Sequence, residues 1–212
     1  MQIDLIFALA VLIFSVILHE VAHGYMANYL GDPTARLQGR LTLNPLSHID
    51  PIGSVILPAI LALSHAPIIG YAKPVPYNPY NLQGKYDETL VAFAGPGTNI
   101  AIALILGLMI RFGAVSMSPA LLNALATIVF INLMLALFNL IPLPPLDGSK
   151  VLSGILPAGL ARTYDHFRAN FERFGILAGT LLLLLIIYLL SDPFYKLVFF
   201  VFTLLTGQSV AV

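Results

Sequence analysis

Long apolar runs separated by short polar stretches dominate the chain. A spanning helix needs about 20 apolar residues, and segments 3–30, 89–112, 119–141 and 174–190 come near that length. A fifth run, 194–206, is short but spans if it tilts or if the bilayer thins around it. A sixth, 52–69, is interrupted by Pro58, Ser64, His65 and Pro67. Prolines 74, 76 and 79 follow in GYAKPVPYNPYNL (70–82), where they forbid a helix and favour extended backbone. The pattern predicts an all-α polytopic membrane bundle of about five spanning helices, with a re-entrant or extended segment on one side. No internal repeat interrupts it.

Composition strengthens this reading. The 212 residues are 58% hydrophobic and only 9% charged, against roughly 25% charged in soluble domains. Mean hydropathy is +0.91. We therefore expect one integral-membrane domain over 1–212, with a core of about 3–155 and C-terminal helices over 174–206. Formal net charge is zero, so no basic surface suggests nucleic acid. There is no cysteine, which excludes disulfides and thiolate metal sites. The N-terminus, MQID, lacks the basic region of a cleavable signal peptide.

Charge placement sets the orientation. Arg36, Arg40, Lys73 and Lys85 lie between the first run and the run at 89. Lys150, Arg162, Arg168 and Arg173 lie between the runs at 119 and 174, leaving only Arg111 and Lys196 elsewhere. The positive-inside rule then places 31–88 and 142–173 in the cytoplasm of a multi-pass plasma-membrane protein. Both flanks of 52–69 fall on that side, so the segment is expected to be re-entrant or interfacial.

The first run holds the chemistry. His19, Glu20 and His23 form HEVAH within an otherwise almost uncharged stretch, and ionisable groups at membrane depth are costly and usually functional. On a helix, His19 and His23 share one face and can bind one Zn²⁺, with Glu20 beside them as a base for water. A catalytic zinc site needs a third protein ligand. His48, His65, His166, Asp32 and Asp50 are candidates, but Asp147 in NLIPLPPLDGSK is more distinctive. Pro142, Pro144 and Pro145 stop the helix before it, and Gly148 permits a sharp turn after it. Topology brings Asp147 to the same membrane face as the two histidines. Asn139, near that end, can donate to a substrate carbonyl or its oxyanion.

HEVAH in an apolar helix, followed by Asn139-x-x-Pro142-x-x-x-x-Asp147-Gly148, resembles the site-2 protease family of intramembrane zinc metalloproteases. AGPGTN (94–99) is similar to that family's small-residue motif, and HIDPIGS (48–54) and AKPVPYNP (72–79) to segments of its short prokaryotic members. The resemblance implies one zinc per chain held by His19, His23 and Asp147. It makes Glu20 the general acid/base and Asn139 its catalytic partner. It also implies regulated proteolysis of membrane-protein substrates within or next to their transmembrane segments, by a core-only member without regulatory domains.

Competing readings are a membrane metal-ion transporter and a non-catalytic scaffold. No inverted repeat supports transport, and a scaffold has no use for Glu20. Gly95, Pro96 and Gly97 read as close helix packing, and His48 and Asp50 as turn and cap residues, with orientation of a ligand histidine as their alternative. His65 and His166 read as interfacial. Residues 70–77 are a candidate edge for pairing with an unwound substrate strand.

Overall fold

The structure, a computed structural model, describes residues 5–56, 72–173 and 175–208. Three long helices precede the segment that carries Asp147: α1 (Leu5–Tyr29), α3 (Asp87–Gly113) and α4 (Pro119–Asn139). Between α1 and α3 lies the single turn of α2 (Thr34–Leu37); α5 (Asp147–Ile155), α6 (Ala158–Arg173) and α7 (Gly175–Thr206) follow α4. Among the described residues there is no strand. Among the described residues, the helices long and apolar enough to cross a membrane are Leu5–Tyr29, Asp87–Ser116 and Pro119–Asn139.

Local chemistry explains several boundaries. Ser118 caps α4 by accepting the Leu121 N–H at 3.3 Å, and Pro119 supplies a preset first helical residue. Asp87 and Glu88 occupy the first turn of α3, and Arg111 its last, each opposite in sign to the nearby helix-dipole end.

The bundle buries polar side chains beside its apolar core and turns large apolar ones outward. Ser15, His19, His23, Asn99, Thr127 and Asn132 are buried, whereas Leu5, Ile6, Phe14, Ile105 and Phe112 face outward. That suits a lipid solvent, in which helices associate through close packing and internal hydrogen bonds. Helix α3 packs against α1, α4, α5 and α7. Its Ala103 and Ile110 join Ala126, Val129 and Leu133 of α4 and Val198 and Phe202 of α7 in one apolar cluster.

One sequence expectation changes. The runs 174–190 and 194–206 do not form two helices but one, of 32 residues, with Pro193 inside it. At about 1.5 Å per residue it measures roughly 48 Å. Proline removes one ladder hydrogen bond, but apolar helix formers on both sides carry the helix through it. Of the expected re-entrant segment 52–69, only the start is described, in a π-helical turn over Pro51–Ile56; the remainder lies outside the described residues. Residues 72–78 form neither helix nor strand, as their prolines require.

Candidate metal centre

Helices α1 and α3 pass each other in opposite directions. His23 Nδ1 lies 2.6 Å from the Val91 carbonyl oxygen, and one turn back on α1, His19 Nδ1 lies 2.6 Å from Asn99 Oδ1. Both contacts require an N–H on Nδ1, which leaves each Nε2 to face the same point. Gly95 lies midway between Val91 and Asn99. A Cβ built there would overlap Nε2 of both histidines. The absent side chain is therefore what gives α3 its approach to the imidazoles, a sharper role than the general packing its sequence suggests. Pro96, with no N–H, interrupts the helix ladder in the same turn.

Asp147 arrives from α5. Helix α4 ends at Asn139, and a tight run of turns (Ile141 N–H to Phe138 O, Leu143 N–H to Ile141 O, Leu146 N–H to Leu143 O) reverses the chain. Asp147 is the first residue of α5. A Cβ at Gly148 would strike the carbonyls of Leu140 and Ile141. Gly148 is needed for this close approach rather than for a left-handed backbone; among the described residues, the glycines with positive φ are Gly31, Gly39 and Gly207.

The three side chains converge. Asp147 Oδ2 lies 3.1 Å from His19 Nε2 and 3.3 Å from His23 Nε2, although 128 residues separate Asp147 from His19. The two imidazoles stand edge to face, with centroids 4.7 Å apart. One ligand atom from each residue falls within 4.8 Å of the others. Two imidazole nitrogens and one carboxylate suit Zn²⁺, which takes three protein ligands in catalytic sites.

Glu20 points at its own chain. Its Oε2 accepts the Val75 N–H at 3.0 Å. Val75 is buried, and its Cγ1 fills the space beside Gly24, one turn beyond Glu20 on α1. The same segment is held by the Lys73 N–H to His48 O (2.8 Å), by Arg40 Nη2 to the Lys73 and Pro74 carbonyls, and by the Asn78 N–H to Asp32 Oδ2 (2.7 Å). Lys150 Nζ, one turn beyond Asp147, donates to Tyr77 Oη at 2.9 Å. The N–H groups of residues 73 and 75 thus turn inward, and the segment does not offer them to a partner strand.

Asn139, His48, Asp50 and Asp32 bond to residues outside the ligand set. Asn139 donates through Nδ2 to Leu135 O, a bond within its own helix. His48 is buried and bonds Thr42 O through Nε2, and Asp50 Oδ1 accepts the Gly53 N–H, so both act in turns. Asp32, fully buried, accepts from Thr34 N–H and Oγ1, Asn78 N–H and Asn81 Nδ2. Burial would raise its pKa, but these donors hold it below the usual value. His166 is exposed on α6, and His65 lies outside the described residues. Sequence reasoning missed the Val91 carbonyl, the contact of Gly95 with the imidazoles and the bond from Asn99. The one available signal was the four-residue spacing of 91, 95 and 99, which matches that of the histidines.

Comparison with known proteins agrees with this geometry. The model of peptidase family M50 matches residues 108–186, a stretch that includes Asp147. YwhC of Bacillus subtilis is 40% identical over 157 residues, covering 70% of this chain and 68% of that protein. Rip2 of Mycolicibacterium smegmatis is 31% identical over 195 residues, covering 90% of this chain and 70% of that protein. A relative from Methanocaldococcus jannaschii is 28% identical over 184 residues, covering 86% and 43%. All three are named as zinc metalloproteases. No solved structure matches the chain significantly. By this similarity the chain belongs to peptidase family M50.

Proposed function

We propose that the chain is an intramembrane zinc endopeptidase whose metal is held by His19, His23 and Asp147. The observation that carries this is the convergence of both Nε2 atoms on one carboxylate oxygen of Asp147. Zinc, when bound, polarises a scissile carbonyl and brings water to a pKa of about 7. Glu20 takes the proton of the attacking water and returns it to the leaving amine, so that one water is consumed per peptide bond. Its bond to the Val75 N–H leaves the second carboxylate oxygen for that proton. Asn139, with one amide N–H engaged by Leu135 O, turns the other toward the carbonyl oxygen as charge develops there.

The substrate is a membrane protein, cut within or next to a transmembrane segment. The positive loops support an orientation with the centre toward the cytoplasmic side of the plasma membrane, and the chain acts as a single protease domain. Glu20→Gln tests the reading. The purified variant keeps about one zinc per chain and loses cleavage of a transmembrane reporter by roughly 10²–10⁴-fold. Retained cleavage, or zinc that survives a triple substitution of His19, His23 and Asp147, refutes it.

A further inference from the structure

Behind the metal-facing side of His19 lies a buried polar chain that the proposed reaction does not use. Asn99 and Asn132 are fully buried and Ser15 nearly so. Asn99 Oδ1 faces His19 Nδ1 at 2.6 Å; Asn99 Nδ2 donates to Asn132 Oδ1 at 2.8 Å and to Ser15 O at 3.4 Å. Asn132 Nδ2 donates to Ser15 Oγ at 3.0 Å and to Ile128 O at 2.9 Å. The chain crosses α1, α3 and α4 at membrane depth, where a polar group without a partner is costly.

Its direction is fixed. If the Asn132 amide were reversed, its oxygen would face the Ile128 carbonyl oxygen. A reversed Asn99 would likewise set its oxygen against the Ser15 carbonyl. Two main-chain acceptors therefore hold both amides one way round, and an oxygen is left opposite His19 Nδ1. That nitrogen must carry the proton, so the lone pair is on Nε2. We propose that Asn99 is a positioning residue of the metal centre, holding His19 in the Nδ1–H tautomer through a chain anchored on Ser15 and Asn132. His23 needs no such device, because a main-chain carbonyl, that of Val91, serves it. Partners of this kind orient metal-binding histidines.

The inference rests on His19 being a metal ligand, and its test separates the two ideas. Chelator competition on the purified chain in detergent should show Asn99→Leu binding zinc about 10–100-fold more weakly, with helical content retained. Asn99→Asp, which keeps an acceptor opposite Nδ1 but sets its second oxygen against Asn132 Oδ1 and the Ser15 carbonyl, should fall between the parent and Asn99→Leu in affinity. ¹⁵N NMR of the zinc-loaded, histidine-labelled chain reads the tautomer directly, with His19 identified by signals lost in His19→Gln. In the parent, His19 should be protonated on Nδ1 and metal-shifted on Nε2. In Asn99→Leu the His19 signals should change while those of His23 stay put. Metal-shifted Nδ1 on His19 in the parent overturns the proposal even if no variant folds. So does equal loss of affinity in the Leu and Asp variants, which would assign Asn99 to packing alone. Zinc bound as tightly in His19→Gln as in the parent would instead defeat the ligand assignment.

Discussion

The two halves of α3 present one stripe to the bundle but do different work. Residues 91, 95, 99, 103, 107 and 110 follow one another along its buried face. The first three serve His23 and His19 with a carbonyl, a missing side chain and an amide oxygen. The last three meet α4 and α7 in an apolar cluster, with Gly107 against Leu205. Both halves lie on the same buried face and differ in the helices they meet, α1 for the first and α4 with α7 for the second. Buried position alone therefore does not tell a ligand-orienting residue from a packing residue.

The largest effect should come from adding one carbon to the first half. Gly95→Ala puts a methyl group onto both Nε2 atoms, and we expect zinc per chain to fall close to zero by metal analysis of the folded protein. The identical change at Gly107 meets Leu205 Cβ at 3.1 Å. Overpacking there costs about 1–3 kcal/mol, read as a lower Tm, with zinc content unchanged. If the two glycines behaved alike, the division of the helix would collapse.

Truncation in the apolar half comes next. Phe202→Ala, at a residue 3% exposed, should cost about 3 kcal/mol in a denaturation midpoint, the low end of the soluble range, because lipid is as apolar as the core. Zinc affinity of the folded fraction should hold. A selective loss of zinc would mean that the two halves are coupled.

The smallest effect lies off α3, at Asp32. Its folded pKa sits below the ordinary carboxylate value of 3.8, so the stability it supplies is fully present above that value. It is lost as pH falls through the lower, folded value. Below about pH 3.8, the protection factor of the Asn78 amide, its exchange corrected for the intrinsic rate at each pH, should fall, and Asp32→Asn should remove that acid dependence. A protection factor flat across this range would count against the clamp.

Much of this was legible in the sequence. HEVAH is a local motif, and its four-residue spacing alone sets both imidazoles on one face. Asp147 could be brought to them because charge counting fixes which loops share a side. The rest was hidden for identifiable reasons. The Val91 carbonyl belongs to no side chain, so no residue type announces it. Gly95 and Asn99 sit in a small-residue motif that reads equally well as packing. Ser191-Asp192-Pro193 looks like a break between two spans, yet α7 continues through it. Gly148 was expected to serve a turn, and only the folded chain shows the carbonyls of Leu140 and Ile141 against it.

The bond from Val75 to Glu20 has a consequence for how this protein is probed. Pro74 and Pro76 carry no N–H, so within that tripeptide a single donor exists, and it is the one that meets the carboxylate. Because the donor is main chain, replacing Val75 with any residue except proline leaves it in place. A conventional side-chain scan passes over the contact without a signal. Chemical editing of the backbone, with an ester in place of the amide, is the perturbation to which it is visible.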